Sequence, residues 1–254
     1  MKSYAYDLLV NGERIDGRKL EDYREIEIEP GIIKNAEGSA LVKIGNTKII
    51  SGVKFGTCTP YPDTPEEGTL SVNAEFTPLA SPDFEAGPPG EDATELARVV
   101  DRGIRESECI DFKKFCITPS EKAWSISVDI HVINHDGNLI DCAFLASVSA
   151  LLNARVPKLK DEQIVRGDYK EDLKVLHKPI EVTVCKVGDK FLLDPNFEEE
   201  SAVEAKLTVC FREDGNICAL QKQGSKELGI DEIKKMVEIA TEKSKELRRL
   251  LPKS

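Results

Sequence analysis

The sequence predicts an α+β fold of two β-α units that pack against each other. Two observations carry this: alternating strand-like segments followed by a helical pattern occur twice, and the polar stretch 158–178 separates the two occurrences. The chain of 254 residues, 40% hydrophobic, is long enough to bury a core. We therefore expect an N-terminal arm or helix at 1–30, a first unit at 31–157, a linker or crossover at 158–178 and a second unit at 179–254.

The strands of the first unit are predicted from alternation and from turn residues. Residues 39–55 alternate around Gly45-Asn46, a turn dipeptide, and this favours two strands. Seven of the thirteen prolines lie between Pro60 and Pro89 and exclude a continuous helix there, so they frame a strand at 69–77 with loops. Residues 123–134 alternate cleanly, which predicts a strand with one buried face.

Three helices are predicted from the positions of apolar residues. The segment 91–108 is amphipathic, with Leu96, Val99, Val100, Gly103 and Ile104 on one face. Residues 140–153 are apolar nearly all round, which indicates a core helix that ends before Pro157. The last helix, 231–251, has an apolar face formed by Ile233, Val237, Ala240, Ser244, Leu247 and Leu251.

The second unit opens with two predicted β-hairpins. Residues 179–187 and 190–194 pair across Gly188-Asp189, and residues 206–211 and 216–221 pair across Asp214-Gly215.

An arginine stripe lies on the helix predicted at 91–108. Arg98, Arg102 and Arg105 are spaced i, i+4 and i+7, so they lie within about 60° of each other around the axis. The stripe is about 10 Å long, and it could bind two neighbouring phosphates of a single strand. The alternative is a solvated face on which the arginines pair with neighbouring acids. These acids are Glu95, Asp101 and Glu106.

Charge and cysteine usage narrow the class of protein. A net charge of −11 argues against broad duplex DNA binding and against an anionic membrane surface. No apolar run reaches the ~18 residues of a membrane span, and the N-terminus lacks the apolar core of a signal peptide, so we expect a cytoplasmic protein. The seven cysteines form no C-x-x-C pair, and we interpret them as reduced core thiols.

A metal-dependent hydrolase is an alternative that rests on His131, Asp129 and Glu198. Against it, His131 and His135 on one regular strand would be about 13 Å apart, too far to share one metal. The acidic run that begins at Asp194 could bind a cation or supply a general acid, or it could be an acidic surface loop. We expect no metal site.

Taken together, five segments resemble the RNase PH family, from about residue 10 to residue 250. They are Arg14–Arg18, Glu37–Ala40, Pro62–Pro65, the loop Pro78–Pro89, and Glu95–Arg102. Within the family, the chain is most similar to the non-catalytic ring subunit of the archaeal exosome. The resemblance implies the RNase PH-like fold (ribosomal protein S5 domain 2-like). It also implies a hexameric ring of three heterodimers with S1-type cap proteins, which degrades RNA from the 3′ end with inorganic phosphate as nucleophile.

The chain departs from the active members of that family at two places. Where they carry a Gly-Ser/Thr-Arg triplet that holds the phosphate, this chain has Asn138, Leu139 and Ile140, and an isoleucine offers no donor. Where they carry carboxylates after the aspartate that matches Asp194, this chain has Glu200 and Ala205. Both changes predict a degenerate phosphate site and a degenerate acid site.

The resemblance therefore implies a non-catalytic subunit that completes the ring, helps to structure the active site of its catalytic partner and contacts single-stranded RNA. The matching arginines are Arg98, Arg102 and, less directly, Arg105. No cofactor is implied, because the partner subunit uses the inorganic phosphate. Two further alternatives remain: an active phosphorolytic exoribonuclease in which Glu200 is the acid, and a structural partner without RNA contact.

Overall fold

The first unit is built on a six-stranded sheet. The computed structural model describes residues 4–161 and 163–252. The strands are β1 (Ile26–Pro30), β2 (Gly38–Ile44), β3 (Thr47–Cys58), β4 (Thr69–Phe76), β5 (Cys116–Thr118) and β6 (Lys122–Asn134). Their order is β1-β2-β3-β6-β4, and β5 pairs with β6. The strands expected at 39–55, 69–77 and 123–134 are confirmed.

The second unit is built on a four-stranded antiparallel sheet. Its strands are β9 (Ile180–Val187), β10 (Lys190–Leu193), β11 (Ala205–Phe211) and β12 (Ile217–Gln223), in the order β10-β9-β11-β12. Both predicted hairpins are confirmed, β9–β10 and β11–β12.

The helices cover and join the two sheets. They are α1 (Tyr4–Val10), α2 (Glu91–Glu106), α3 (Leu139–Leu152), α4 (Phe197–Glu200) and α5 (Ile230–Arg248), with a short 3-10 helix at Phe112–Phe115. Helix α3 packs on β2 and β3 on one side and on β9 on the other, and it is buried from Asp141 to Leu151. This explains its apolar character all round, since a helix between two sheets has no solvent face.

Helix α2 buries the face that the sequence predicts. Leu96, Val99, Val100, Gly103 and Ile104 are all buried. Helix α5 lies where a helix was predicted, but the face that it buries is rotated relative to the predicted apolar face. Met236 is fully buried while Ile233 and Val237 are only half-buried, because α5 packs on β9 and β11 along the line of Ala240, Ser244 and Leu247.

The polar stretch 158–178, expected to be a linker or crossover, carries most of a β-hairpin. Strand β7 (Arg155–Lys160) pairs with β8 (Gln163–Asp172), and the Arg155 guanidinium lies 3.9 Å from the Tyr169 ring centroid. The alternation of β8 is weak because its two aliphatic residues, Ile164 and Val165, are adjacent in sequence and therefore point to opposite faces, while six of the ten residues are charged or carry an amide. The polarity of this stretch was therefore misleading. The hairpin begins before residue 158, inside the section assigned to the first unit.

The N-terminal arm expected at 1–30 contacts both units. Strand β1 adds to the first sheet beside β2, whereas α1 packs Ala5 and Leu9 on the second unit, against Cys185 and Leu192. Residues 1–3 and 253–254, at the ends of two expected sections, lie outside the described residues.

Two expectations from composition can be compared with the structure. All seven cysteines are free thiols, four of them buried and three half-buried. Among the described residues, no helix has both the length and the apolar character needed to span a bilayer.

Candidate nucleic-acid interface and adjoining pocket

A pocket of about 350 Å³ lies where the two units meet, between α2, the start of α3 and strands β9 and β11. The structure brings most of the predicted degenerate sites together here. Residues lining the pocket include Asn138, Leu139, Ile140, Glu200 and Ala205. Asp194 is fully buried directly behind Asn138.

The start of α3 is held rigidly against the second unit. Asn138 has a left-handed φ of 54° and is buried, and its amide nitrogen donates to Asp141 Oδ2 at 3.2 Å and to Asp194 Oδ1 at 3.0 Å. Gly137 has φ 84°, and a Cβ at this position would stand 2.3 Å from the Pro195 carbonyl oxygen. Only glycine allows this close approach of the two units.

The donors in the pocket converge on one carboxylate of the chain itself. Glu200 Oε1 accepts from the Asn138 backbone N–H at 3.2 Å and from Lys206 Nζ at 2.9 Å. Its Oε2 is 3.9 Å from His135 Nε2. Backbone N–H groups at a helix N-terminus, together with a lysine, form an anion-binding position. Here the Glu200 carboxylate fills that position.

Two ionisable neighbours of Glu200 have shifted pKa values. Burial lowers the pKa of His135 and outweighs the raising effect of the Glu200 charge, so His135 is neutral at pH 7. Burial would also lower the pKa of Lys206, but the carboxylate of Glu200 overcomes this and raises it, so the ammonium stays charged. The side chains of Ile140 and Leu139 add no donor, and the side chain of Ala205 adds no acid.

Asp194 is part of a buried ion-pair network. Arg24 donates to it from its backbone N–H and Nε, both at 2.8 Å from Oδ2, and from Nη2 at 2.7 Å from Oδ1. Arg18 Nη1 adds a contact at 3.0 Å. Burial would raise the pKa of Asp194, but the hydrogen bonds and charge of Arg24 lower it. The Asp194 carboxylate is therefore ionised and held by hydrogen bonds from Arg24 and Arg18.

A second buried ion pair, which the sequence reasoning missed, joins the N-terminal arm to α4. Arg14 donates from Nε to Glu199 Oε1 at 3.0 Å and from Nη2 to Glu199 Oε2 at 2.5 Å. Glu199 also closes a capping box with Asn196 at the start of α4. The available signals were the N-x-x-E spacing of Asn196 and Glu199 and the Arg14–Arg18 segment.

Asp141 is a third buried acid that the sequence reasoning missed. It accepts from the Tyr23 hydroxyl at 2.6 Å, from the Thr183 N–H at 2.9 Å and from the Asn138 amide. Burial raises its pKa to about 6, against the lowering effect of these bonds. It follows Ile140 directly in an otherwise apolar helix. A single aspartate in such a helix was the sequence signal that a buried acid with hydrogen-bond partners lies here.

The other side of α2 carries the arginine surface, which we define as Arg98, Arg102 and Arg105. All three side chains are exposed. Arg102 Nη1 donates to Gln221 Oε1 at 3.0 Å, and Arg98 makes no hydrogen bond or ion pair with any residue that the structure describes. Arg98 and Arg102 line an open groove of about 560 Å³. Arg105 differs, because it pairs with Asp101 at 2.8 Å and donates to the Leu70 carbonyl at 3.2 Å.

The sequence allowed two interpretations of these arginines, phosphate binding or pairing with neighbouring acids on a solvated face. Pairing with a neighbouring acid holds for Arg105, whose partner is Asp101. The other flanking acids, Glu95 and Glu106, pair with none of the three arginines within the described part of the chain.

The residues of the hydrolase alternative are not brought together. His131 Nδ1 lies 3.3 Å from Glu75 Oε2, Asp129 accepts from Asn73, and Glu198 is exposed on α4. Residues 4–161 and 163–252 contain no group of three or more His, Cys, Asp or Glu side chains that could hold a metal ion. His135 stacks on Phe84, with ring centroids 5.3 Å apart.

Comparison with known protein families gives matches over most of the chain. Residues 22–157 match domain 1 of the 3′ exoribonuclease family named RNase PH, and residues 177–243 match domain 2 of that family.

Curated relatives match almost over their whole length. The chain is 45% identical to "Exosome complex component Rrp42" of Methanosarcina acetivorans, over 98% of this chain and 92% of the relative. It is 49% identical to the protein of the same name from Methanopyrus kandleri, over 94% and 90%. Among solved structures, it is similar to a chain of the Archaeoglobus fulgidus exosome with RNA bound to the active site. That match has a TM-score of 0.91 and 45% identity, and it covers 97% of this chain and 95% of the other.

Proposed function

The chain belongs to the RNase PH family of 3′ exoribonucleases, and we propose that it is a non-catalytic ring subunit of an archaeal exosome, a 3′–5′ phosphorolytic RNA-degrading complex. The observation that carries the non-catalytic assignment is the lining of the pocket, where Ile140 and Ala205 stand at the positions at which the resemblance places a phosphate-binding arginine and a carboxylate in active members.

An attacking phosphate has no suitable place in this pocket. The resemblance places a phosphate-binding arginine at the position of Ile140 in active members, and a dianion there would meet an apolar side chain instead of a cation. An unpaired charge in such surroundings costs several kcal/mol. Asp194 is engaged by Arg24, so it is not free to act as a proton donor. The inorganic phosphate is therefore a substrate of the catalytic partner, and this chain needs no cofactor.

The proposed contribution of this chain to RNA binding is the arginine surface. Arg98 and Arg102 are exposed, face one groove and have few internal partners, and a guanidinium binds phosphate oxygens in pairs. Contacts to the backbone alone suit degradation that does not depend on sequence. Arg105 is the third candidate, and it contributes less because a phosphate must compete with Asp101.

In the complete proposal, three copies of this chain alternate with three catalytic RNase PH-like subunits in a hexameric ring. This chain helps to structure the active site of its partner, S1-type proteins cap the ring, and the assembly acts in the cytoplasm.

The test compares phosphorolysis by this chain alone with phosphorolysis by its mixture with a catalytic partner. We expect the purified chain with RNA and inorganic phosphate to release no nucleoside diphosphates, and the mixture with a catalytic RNase PH-like subunit to release them as a hexamer-sized particle. Release by this chain alone would favour the active alternative, and a mixture that never assembles would contradict the ring assignment.

RNA contact is tested in the assembled ring with Arg98→Ala combined with Arg102→Ala. Each lost phosphate contact on a single strand flattens the log–log salt dependence by about 0.7, so the double variant should lose about 1.4. The matched control is Lys234→Ala with Arg249→Ala, two exposed cations on or beside α5. An equal slope for both double variants would favour a structural partner without RNA contact.

A further inference from the structure

Arg102 of the first unit is held by a residue of the second sheet. Its Nη1 donates to Gln221 Oε1 at 3.0 Å. Gln221 lies on β12, the strand at one edge of that sheet, and it is paired opposite Thr208 of β11. Thr208 is buried and its hydroxyl bonds to the Thr183 hydroxyl at 2.8 Å. The acceptor for Arg102 therefore lies on a strand that the core fixes, and not on a loop.

The bond to Gln221 leaves one edge of the Arg102 guanidinium open. Nε and Nη2 form that edge, and neither has a hydrogen-bond partner within the described part of the chain. Three other arginines use the same two nitrogens to bind both oxygens of one carboxylate. These pairs are Arg14 with Glu199, Arg24 with Asp194, and Arg105 with Asp101. In Arg102 the edge is available to an oxyanion from outside the chain, and a phosphate offers two oxygens for it.

The acceptor is an amide, so it orients the guanidinium without neutralising it. Asp101, by contrast, pairs with Arg105 as an anion. The buried Glu181 lies against the same helix, where a Cβ at Gly103 would stand 2.4 Å from its Oε1. Burial raises the pKa of Glu181 well above its usual range, against the lowering effect of Arg102, and its Oε2 bonds to no described residue. Arg102 therefore keeps its charge where it lines the groove.

We infer that Gln221 is a positioning residue for RNA binding, which fixes Arg102 so that the edge formed by Nε and Nη2 meets two oxygens of a backbone phosphate. The inference rests on the proposed function, and it adds a residue of the second unit to a surface that α2 otherwise forms. A side chain that is ordered before binding loses less conformational entropy when the ligand arrives. Arg98, which has no such partner among the described residues, loses that freedom on binding.

The first test is RNA binding by the assembled ring with Gln221→Leu, which removes the acceptor and leaves the charge of Arg102. We expect RNA to bind about threefold to tenfold more weakly at fixed salt, since an ordered side chain becomes free. The slope of the salt dependence should stay as it is, because no cation is lost. The matched control is Gln223→Leu, the same change two residues along the same face of β12, and it should bind RNA as the native ring does.

The second test is Gln221→Glu, which gives Arg102 an ionic partner like that of Arg105. The log–log salt dependence of RNA binding should flatten by about 0.7, the value of one phosphate contact on a single strand. Leu220→Glu adds the same charge at the neighbouring exposed residue, whose side chain points to the other face of β12, and should leave the slope unchanged. Equal flattening in both variants would reduce the effect to net charge and overturn the inference.

A double-mutant cycle separates positioning of Arg102 from a structural role of Gln221. In an Arg102→Ala ring, Gln221→Leu should cause no further loss of RNA affinity, whereas in an Arg98→Ala ring it should keep its threefold to tenfold effect. A loss that persists without Arg102, or native affinity in Gln221→Leu while Arg98→Ala with Arg102→Ala flattens the slope, would overturn the positioning role alone. An unchanged slope in that double arginine variant would instead overturn the proposed RNA contact, and the inference with it.

Discussion

The pocket and the arginine surface lie on either side of α2, and they differ in whether their charged side chains have partners within the protein. In and behind the pocket, Glu200 is bonded to Lys206 and Asp194 to Arg24, so these charges satisfy one another. On the arginine surface, Arg98 remains exposed and bonds to no described residue. Buried charges need partners to avoid a large desolvation cost, and exposed charges do not. The comparison teaches that the charges in and behind the pocket stabilise the fold through internal pairs, while on the arginine surface Arg98 has no internal partner among the described residues.

The largest expected effect is a contrast in stability between Arg24→Ala and Arg98→Ala. Removing Arg24 leaves Asp194 buried with fewer partners, and breaking such a pair costs about 3–5 kcal/mol. Removing Arg98 should change the free energy of unfolding by no more than about 0.5 kcal/mol. Urea unfolding of both variants measures the contrast, and similar losses would show that the two regions do not differ in this way.

The second effect is a pH dependence that arises from Asp141, which is buried behind the pocket. Because the pKa of Asp141 is raised from 3.8 to about 6 in the fold, its stabilising contribution is present below pH 4 and is lost as pH rises through 6. Relative to Asp141→Asn, the native chain should lose about 2 kcal/mol between pH 4.5 and 7.5. Asp194, whose pKa is lowered, acts in the opposite direction but is common to both proteins.

Denaturant unfolding at several pH values gives this difference directly. A constant gap between the native chain and the Asp141→Asn variant would mean that Asp141 titrates as an ordinary aspartate.

A smaller effect should follow from emptying the anion-binding position of the pocket. In Glu200→Ala, the Lys206 ammonium and the Asn138 N–H lose their internal partner, so inorganic phosphate should bind at least about tenfold tighter than to the native chain, or about 1.4 kcal/mol. Calorimetric titration with phosphate measures this. Glu198→Ala removes an exposed acid on the same helix, and equal gains in both variants would reduce the effect to net charge.

The smallest expected effect is that of Arg105→Ala. Its i, i+4 pair with Asp101 is partly exposed and contributes about 0.3–0.5 kcal/mol to stability. In the assembled ring, its loss should flatten the salt dependence of RNA binding by less than the ~0.7 of a full phosphate contact. A flattening as large as that of Arg98→Ala would show that RNA displaces Asp101.

Local patterns were sufficient for most elements. The alternation in β3 and β6 and the 3.6-residue period of α2 record which face is buried, so each element could be predicted from its own residues. The pattern failed at β8, where the adjacent Ile164 and Val165 give no alternation. At α5 it identified Ala240, Ser244 and Leu247 but missed Met236, which is buried by packing on two strands.

The site was less predictable than the fold. The resemblance assigned Asn138 and Ile140 to a degenerate phosphate site and Glu200 to a degenerate acid site, and the structure finds all three lining one pocket. The partners of the buried acids were missed, because Arg24 and Asp194 are 170 positions apart and Arg14 and Glu199 are 185 positions apart. No spacing rule covers such distances.

The sequence by itself determined the α+β class and the arginine stripe, because periodicity and residue spacing are local properties. That Ile140 stands where active members have a donor is what the resemblance to the family implies. Only the tertiary structure decided that Glu200 occupies the anion-binding position, and that Arg105 pairs with Asp101 while Arg98 bonds to no described residue. Each of these depends on side-chain direction within a packed fold, where a shift of one residue exchanges a contact for solvent.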